Sequence, residues 1–281
     1  MKLLRFGEPG RERPAALDAG GAMRDLTGRV ADIDASALSP AGLTALRGID
    51  LESLPLVAAG SRIGPCVAGV GKFICIGLNY TDHAKEAGMD VPKEPPIFLK
   101  ANSSIGGPDD DVVLPRGSTA GDWEVELGFA IGTTAAYVSE SDALGHVAGY
   151  FTANDVSERN FQLNRGGQWT KGKSCDTFGP IGPWLVTADE VPDPQKLRLQ
   201  LTVNGQTMQS GSTANMIFGV AFLVSYLSSF FTLHPGDIVS TGTPAGVGLG
   251  HKPPLYLKAG DRMTVSVEGL GEQHQLVVAS A

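Results

Sequence analysis

Residues 122–128 read Asp122-Trp123-Glu124-Val125-Glu126-Leu127-Gly128, and this stretch decides how the rest of the chain is interpreted. In an extended strand successive side chains point to opposite faces, so Glu124 and Glu126 share one face and apolar residues occupy the other. Two carboxylates that close together repel each other unless a cation lies between them. An amphipathic edge strand with two solvated acids would have the same sequence pattern. The rest of the chain must therefore decide between a cation site and a solvated strand.

A second acidic stretch favours the metal-binding interpretation. Residues 154–159 read Asn154-Asp155-Val156-Ser157-Glu158-Arg159 and offer a third carboxylate, that of Asp155. A site built only from oxygen ligands suits Mg²⁺, Mn²⁺ or Ca²⁺ better than Zn²⁺. We therefore predict that Glu124, Glu126 and Asp155 bind a divalent cation, with Mg²⁺ first, Mn²⁺ second and Ca²⁺ behind both.

The composition excludes several classes of partner. The 281 residues include 22 basic and 30 acidic side chains, and the formal net charge is −8. This balance gives no electrostatic footprint for nucleic acid or for an anionic membrane surface. The first residues do not resemble a secretory signal, and the odd set Cys66, Cys75 and Cys175 lacks metal-ligand spacing. We therefore expect a cytoplasmic protein with reduced thiols.

Strand-like runs dominate the chain after residue 70, with helical patterns near 139–144, 156–162 and 215–231. Strands and helices do not alternate as βαβ units require, which predicts an α+β, strand-rich roll or barrel. The apolar run at 216–231 is too short and too interrupted to span a bilayer, so it predicts a buried helix. The predicted strands cover residues 73–77, 97–100, 112–114, 124–131, 148–153, 184–187, 197–203, 237–241 and 263–267.

The first 70 residues differ in character from the remainder. They combine short alternating segments with small-residue helical patterns around residues 31–49, which indicates a small N-terminal α/β domain. A stretch interrupted by proline and glycine at 55–65 follows. We therefore predict two domains, a cap at residues 1–70 and a main domain at residues 71–281.

His83 and Glu86 are three residues apart, so on a helical turn they share one face. A glutamate beside an imidazole orients it and raises its basicity, and such a pair can remove a proton from water. The same spacing occurs by chance on many solvated helices. The flanking Gly88, Pro92 and Pro96 indicate a mobile segment between rigid strands, residues 81–96, which suits a lid over a site.

Further polar residues are candidates for ligand binding. Arg159 offers a bidentate fork for a carboxylate and Gln162 follows on the same helical face, although a salt bridge with Glu158 or another acid is the alternative. Residues 167–174 match the phosphate-loop pattern letter for letter, but the required strand before and helix after are missing from the sequence pattern, so we reject an NTPase. Lys173 remains a candidate for binding an anionic ligand, because a glycine-flanked loop carries it. Thr243 lies in a glycine loop after an apolar strand, where its hydroxyl can bind a carboxylate or an oxyanion.

Several spaced motifs together resemble the fumarylacetoacetate hydrolase family over roughly residues 70–281. The N-terminal part is also similar to the small cap of bacterial members that include 2,4-diketo-3-deoxy-sugar-acid hydrolases and ureidoglycolate lyases. The motifs are Ile76-Gly77-Leu78-Asn79-Tyr80 with His83 and Glu86, Phe98-Leu99-Lys100, residues 122–127, residues 154–159, Gly172-Lys173-Ser174 and Thr241-Gly242-Thr243-Pro244.

The resemblance implies a mixed β-roll catalytic domain, usually a homodimer, and it assigns roles to the residues already singled out. The metal ligands would be Glu124, Glu126 and Asp155. The substrate contacts would be Arg159, Gln162, Lys173 and Thr243. The catalytic residues would be His83 and Glu86, which activate water, together with Lys173. Lys100 matches a lysine of the family motif to which the sequence assigns no role.

The reaction that the resemblance implies is metal-dependent hydrolysis of a carbon–carbon bond in a 2,4-diketo acid, with pyruvate as one product. The bacterial subgroup points to 2,4-diketo-3-deoxy-L-rhamnonate or L-fuconate, which would give lactate as the second product in sugar catabolism. Ureidoglycolate lyase, acylpyruvate hydrolase, oxaloacetate decarboxylase and a hydroxymuconate-type isomerase are alternatives on the same site. A binding protein without activity would have lost some of these acids, bases and cations, and none is missing.

Overall fold

The computed structural model describes residues 1–86, 88 and 90–280, and its secondary structure is mostly short strands. This composition follows from the many glycine-containing turns that separate the apolar runs. The strands are β1 (Lys2–Phe6), β2 (Arg13–Leu17), β3 (Met23–Asp25), β4 (Ile63–Gly64), β5 (Phe73–Ile76), β6 (Ile97–Lys100), β7 (Ile105–Gly106), β8 (Val112–Leu114), β9 (Gly121–Asp122), β10 (Val125–Ile131), β11 (Val147–Asn154), β12 (Ser157–Glu158), β13 (Gly179–Pro180), β14 (Leu185–Thr187), β15 (Arg198–Val203), β16 (Gln206–Ser212), β17 (Ile238–Ser240), β18 (Arg262–Val267) and β19 (Gly271–Ala279).

The helices are short. They are α1 (Pro40–Arg47), α2 (Thr81–Glu86), α3 (Arg159–Leu163), α4 (Thr170–Lys173) and α5 (Val220–Ser228). Single 3₁₀ turns occupy Leu51–Ser53, Asn102–Ser104, Ala143–His146, Ala188–Glu190, Thr213–Asn215 and Gly248–Gly250. In the described part of the chain, no helix is long and apolar enough to cross a membrane.

The helix predictions needed correction at their ends. The pattern near 139–144 forms only a 3₁₀ turn at Ala143–His146, because local hydrogen bonds such as Ser139 Oγ to Asp142 Oδ2 (2.7 Å) compete with helical bonding. The pattern near 156–162 begins as strand β12, and the carboxylate of Glu158 caps α3 by accepting from the Phe161 N–H at 2.6 Å. The long apolar pattern near 215–231 is helical only within α5.

Two larger sheets carry the fold. The first has the order β3-β2-β1-β14-β11-β10-β17-β5-β6, with β4 paired to β1, and the second has the order β16-β15-β18-β19-β8. Most pairs are antiparallel, but β5 with β17 and β8 with β19 are parallel. The strand-rich α+β prediction is confirmed. Within the described residues both sheets are open, so the barrel alternative does not apply.

The N-terminal strands are continuous with the first sheet. Strand β1 pairs with β14 through Lys2 opposite Val186 and Leu3 opposite Leu185. Leu3 is also fully buried in a cluster that includes Phe73 and Phe151. The first 70 residues therefore share a sheet and a core with later strands, and the division into two domains at residue 70 stays a prediction.

The two central strands of the first sheet determine where the candidate site lies. Strand β10 begins beside the end of β11, because Val125 is the register partner of Asn154. The residues just outside this pair, Glu124 and Asp155, are consequently neighbours, and the Asp155 N–H donates to Glu124 O at 2.9 Å. Two segments far apart in sequence thus bring their carboxylates to one edge of the sheet.

Gly128 makes the close packing of β10 on β11 possible. A Cβ at this position would lie 2.2 Å from the Phe151 ring, and both residues are in fully paired strands. Because the ring is fully buried, it has little room to move. Gly128→Ala is expected to lower the free energy of unfolding by about 1–3 kcal/mol in urea denaturation. Gly145→Ala, where a Cβ meets nothing within 4 Å, is the matched control, and an equal loss in both variants would contradict the packing argument.

The three cysteines are free thiols in the structure, as expected. Cys66 and Cys75 are buried in the core, and Cys175 is partly exposed. Burial raises the pKa of the Cys66 and Cys75 thiols well above their usual value, because the thiolate would lose its hydration there. The two buried thiols are consequently inert core residues rather than nucleophiles.

Candidate active site

Three carboxylates converge where β10 begins and β11 ends. Glu124, Glu126 and Asp155 each offer an oxygen, and the three oxygens lie within 4.8 Å of one another. All three side chains are almost completely buried, with exposures of 4%, 1% and 1% of the residue surface. Burying three like charges together without compensation is strongly unfavourable, so the surrounding groups decide what this cluster does.

Glu126 is held in place by the neighbouring strand β17 and the loop after it. Its Oε2 accepts hydrogen bonds from Ser240 Oγ at 2.5 Å and from the Gly242 N–H at 2.9 Å. Burial, followed by the nearby Asp155 and Glu124 carboxylates, raises the pKa of Glu126 well above its usual value. Glu126 is therefore the least neutralised acid of the cluster.

Lys173 reaches the other two acids from α4. Its Nζ donates to Glu124 Oε2 at 2.6 Å and to Asp155 Oδ2 at 2.8 Å, while the side chain is nearly inaccessible. The preceding Gly172 allows this approach, because a Cβ there would lie 2.3 Å from Glu158 O. Within the residues that match the phosphate-loop pattern, Thr170–Lys173 form a four-residue helix, and a Cβ at Gly172 would lie 2.4 Å from Gln162 N of α3.

Lys100, at the end of β6, has a single acidic partner among its recorded contacts. Its Nζ donates to Asp155 Oδ1 at 2.5 Å and to Val156 O at 3.1 Å. Each oxygen of Asp155 is therefore bonded to a different lysine, since Lys173 contacts the other one. This arrangement fixes the orientation of the carboxylate.

Arg159 begins α3 and lies between two acids, neither of which is Glu158. Its Nε donates to Asp122 Oδ2 at 2.7 Å, and its Nη2 donates to Glu124 Oε1 at 2.6 Å. Its Nη1 donates to Gln162 Oε1 at 3.1 Å, so the two predicted substrate contacts touch each other. Arg159 therefore forms salt bridges with acids, the alternative to a free carboxylate-binding fork, but with the buried Asp122 and Glu124 rather than on the surface.

The charges around the site do not cancel. Among the described residues, the group of acids Asp122, Glu124, Glu126 and Asp155 has salt bridges with three cations from Lys and Arg side chains, Lys100, Arg159 and Lys173. Burial opposes ionisation of Glu124, but Lys173 and Arg159 lower its pKa to about 2. The cations leave one carboxylate of the cluster without a partner cation, that of Glu126, in agreement with its raised pKa.

The donor set fits a divalent cation. Two oxygens on opposite sides of one hard cation are about 4–5 Å apart, and the three carboxylate oxygens satisfy this limit. Hard cations prefer oxygen ligands, and a carboxylate oxygen that already accepts one hydrogen bond retains a lone pair. A cation would also neutralise the excess negative charge of the cluster. Glu124, Glu126 and Asp155 are thus the residues that would hold it.

The predicted dyad lies above this cluster on α2. His83 is buried, and its Nδ1 is 3.4 Å from Glu86 Oε2. Glu86 also accepts from the Gly246 N–H at 3.0 Å, which joins α2 to the loop after β17. Burial opposes ionisation of Glu86, but the hydrogen bonds from His83 and Gly246 lower its pKa. The predicted lid, residues 81–96, includes Ala87 and Met89, which lie outside the described residues.

Many of these groups line one cavity of about 160 Å³. The polar lining includes His83, Glu124, Glu126, Arg159, Lys173 and Thr243. The Thr243 hydroxyl donates to Val125 O at 2.8 Å and accepts from Gln209 Nε2 at 2.8 Å. Asp155 is not a lining residue but contacts the lining residue Lys173. The structure thus brings the residues predicted from sequence into one small, mostly enclosed site.

Comparison with known proteins agrees with this geometry. The family model of the fumarylacetoacetate (FAA) hydrolase C-terminal region matches residues 72–278. The chain belongs to the fumarylacetoacetate hydrolase family. A relative from Burkholderia ambifaria, described as "Putative hydrolase", is 60% identical over 276 residues, which are 98% of each chain. Membership of this family and these relatives support the prediction of an enzyme.

Solved structures with different activities resemble this member of the family. Fumarylacetoacetate hydrolase from Exiguobacterium antarcticum is 36% identical with a TM-score of 0.86, covering all of both chains. Maleylpyruvate hydrolase from Sphingobium sp. SYK-6, in complex with manganese(II) and pyruvate, is 29% identical with a TM-score of 0.83 over all of both chains. A 2-hydroxyhepta-2,4-diene-1,7-dioate isomerase from Mycobacterium marinum is 34% identical with a TM-score of 0.77, covering 100% of this chain and 99% of its own.

Sequence reasoning missed two parts of the site. Asp122 accepts from the Gly248 N–H at 2.6 Å, the Leu249 N–H at 3.0 Å and Arg159 Nε, so it links the cavity wall to the acidic cluster. Its position two residues before Glu124 was the available signal, since the period-two pattern extends to it. The apolar cavity wall had no local signal, because its residues come from separate segments of the chain, including β6, α3 and the 3₁₀ turn Gly248–Gly250.

Proposed function

We propose that this member of the fumarylacetoacetate hydrolase family hydrolyses a carbon–carbon bond in a 2,4-diketo acid and releases pyruvate. The observation that carries the proposal is that two acids of a buried three-carboxylate cluster, Glu124 and Glu126, line the same small cavity as a histidine–glutamate dyad. A cation site alone would serve many reactions. A base positioned beside it is what hydrolysis additionally requires.

The 2-oxo acid end of the substrate is proposed to lie at the carboxylate cluster. Glu124, Glu126 and Asp155 would hold a divalent cation there, which would supply Lewis-acid chemistry. Arg159 and Gln162 lie beside the same floor and orient the substrate carboxylate through their remaining donors. Lys173 places a positive charge where the product enolate develops, and Thr243 closes the side of the site.

The proton step is assigned to the dyad. Glu86 holds His83 through Nδ1, which leaves Nε2 to accept a proton from water. The hydroxide equivalent adds to the distal carbonyl carbon, and the bond between that carbon and the methylene breaks. The electron pair leaves as the enolate of pyruvate, which is protonated on carbon by the imidazolium. One diketo acid and one water thus give one pyruvate and one second acid.

The finer assignments are part of the same proposal. The substrate we favour is 2,4-diketo-3-deoxy-L-rhamnonate or L-fuconate, with lactate as the second product, and the cation we favour is Mg²⁺. The motif resemblance supports these choices, as it supports a homodimer with a cap at residues 1–70 and a catalytic domain at residues 71–281. The cytoplasmic location rests on the three free thiols.

An isomerase, a lyase or a decarboxylase on the same cation site is the second candidate. It is favoured by the solved isomerase that resembles this chain and by the fact that a histidine–glutamate pair also relays protons. These reactions require no attacking water. Acylpyruvate hydrolysis differs from the favoured reaction only in the distal group of the substrate.

The direct test is product analysis by NMR with purified protein, Mg²⁺ and a panel of acids. The panel contains 2,4-diketo-3-deoxyrhamnonate, its fuconate epimer, acetylpyruvate, oxaloacetate and ureidoglycolate. Pyruvate formation from a diketo acid that is abolished by EDTA and restored by Mg²⁺ is the expected result. Turnover confined to oxaloacetate or ureidoglycolate would instead establish the second candidate.

His83→Ala is expected to lower kcat for pyruvate release about 10²-fold with little change in KM, because it removes the base but not the cation site. The matched control is His274→Ala, since His274 also lies beside carboxylates, Asp109 and Glu272, but on the surface. The control should keep full activity. An unchanged kcat in His83→Ala would remove the dyad from the mechanism.

A further inference from the structure

The cavity has two chemically different halves. The lining acids and cations described above form one part, the floor, whereas apolar side chains form the other part, the apolar wall, which consists of Leu78, Phe98, Leu163, Trp169, Val247 and Leu249. At about 160 Å³ the cavity is smaller than the roughly 300–1,000 Å³ typical of sites for drug-sized ligands. A ligand whose oxo-acid end occupies the floor must therefore direct a short remainder against an apolar surface.

The cations that line the cavity are already paired. Lys173 donates to Glu124 and Asp155, and Arg159 donates to Asp122 and Glu124. Both belong to the floor. Among the described residues that line the apolar wall, none carries a positive charge. A carboxylate at the distal end of a ligand would therefore lose hydration against this wall without gaining a partner.

The apolar wall is held rigidly on both sides. On one side the Trp169 and Phe98 rings meet edge to face with centroids 5.5 Å apart, and Phe98 also lies 5.2 Å from Lys173 Nζ. On the other side the Leu249 N–H donates to Asp122 Oδ2 at 3.0 Å, and the buried Val247 precedes it. Because backbone and ring contacts fix these residues, the wall cannot easily rearrange to expose polar groups.

We propose that this chain selects substrates whose distal group is a short, uncharged acyl chain, and that Trp169, Leu163 and Leu249 determine this preference. The inference rests on the proposed function, because it places the oxo-acid end at the floor. It separates this chain from enzymes that act on diketo acids with a second carboxylate. It also accommodates the lactoyl group of the favoured sugar acids, which is uncharged and ends in a methyl group.

The test compares two ligands that differ only in the distal charge. 2-Oxohexanoate and 2-oxoadipate have the same carbon chain and the same oxo-acid end, and neither requires turnover. Isothermal titration calorimetry in the presence of Mg²⁺ is expected to show that 2-oxohexanoate binds at least about tenfold more tightly. Equal affinity, or tighter binding of 2-oxoadipate, would overturn the proposal.

A pair of matched variants tests whether the wall itself is responsible. Leu163 and Leu144 are both 44% exposed, but only Leu163 lines the cavity. Leu163→Arg is expected to tighten 2-oxoadipate binding about threefold and to weaken 2-oxohexanoate binding, because it supplies a partly exposed charge partner. Leu144→Arg should leave both affinities unchanged. The same response in both variants would refute the assigned wall.

The specificity inference and the hydrolase proposal can fail independently of each other. If 2-oxohexanoate is preferred but no diketo acid releases pyruvate, the specificity inference stands and the hydrolase proposal fails. If pyruvate is released from fumarylpyruvate as efficiently as from butanoylpyruvate, the hydrolase proposal stands and the specificity inference fails. The binding experiment therefore decides the inference without relying on catalysis.

Discussion

Glu126→Gln is expected to abolish cation-dependent activity while making the cation-free protein more stable. Loss of one of the three proposed carboxylate ligands would remove Lewis-acid assistance worth several kcal/mol, which corresponds to a fall in kcat/KM of roughly 10³-fold or more. Stability should move the other way, because burial and the neighbouring Asp155 and Glu124 carboxylates raise the pKa of Glu126 well above its usual value, so that at neutral pH folding carries a cost at this acid that a neutral glutamine does not have. A rise of about 1 kcal/mol in the free energy of unfolding is expected in EDTA.

The substitution preserves the local hydrogen bonds. The amide oxygen of a glutamine can still accept from Ser240 Oγ and from the Gly242 N–H, as the carboxylate does now. The change therefore removes a charge with little change in shape. Urea denaturation in EDTA measures stability, and calorimetric titration with Mg²⁺ measures cation affinity. In the variant, Mg²⁺ should no longer raise the midpoint of unfolding, whereas it should do so in the natural protein.

Glu124→Gln provides the contrast that makes this prediction specific. Glu124 also belongs to the proposed ligand set, but its oxygens receive donors from Lys173 and Arg159 at 2.6 Å each. Removing its charge leaves two buried cations undercompensated, so we expect the cation-free protein to lose about 3 kcal/mol. Both variants should lose cation binding. If Glu126→Gln destabilises the cation-free protein as Glu124→Gln does, the inference that Glu126 lacks a partner cation and is costly to bury is wrong.

The sequence was sufficient for the parts of the fold that local pattern determines. Strands β6 and β8 have the predicted limits, and most other predicted strands agree within one or two residues. The alternation around Glu124 and Glu126 also placed their side chains correctly beside Asp155. These predictions succeed because strand period and side-chain direction are local properties of the chain.

The missed features depend on contacts between distant segments. The pairing of Lys100 with Asp155 joins β6 to the end of β11, and no spacing rule connects these positions. The helix predicted near 156–162 began late because β12 pairs with β9. The apolar wall of the cavity brings Trp169 and Leu249 together from separate segments of the chain. Such features need tertiary structure, whereas a family motif identifies only the residues that it contains.

Asp122→Asn is expected to destabilise the protein by about 3 kcal/mol and to lower activity, although Asp122 is not a proposed metal ligand. Its Oδ1 accepts from the N–H groups of Trp123 and Gly248, and its Oδ2 accepts from Leu249 N–H and Arg159 Nε. Donors therefore surround both oxygens. An asparagine amide nitrogen would face two of these donors and leave a buried cation without its partner.

The effect on activity should follow from the same contacts. Asp122 joins Leu249 of the cavity wall to Arg159, which in turn holds Glu124, so its loss loosens both halves of the site. Urea denaturation and kcat/KM for pyruvate release measure the two consequences. Asp18→Asn is the matched control, because Asp18 accepts from two backbone N–H groups and from Arg24 Nε in a turn far along the chain from these residues. Asp18→Asn should leave kcat/KM unchanged. If Asp122→Asn keeps the stability and the activity of the natural protein, Asp122 does not connect the apolar wall to the acidic cluster.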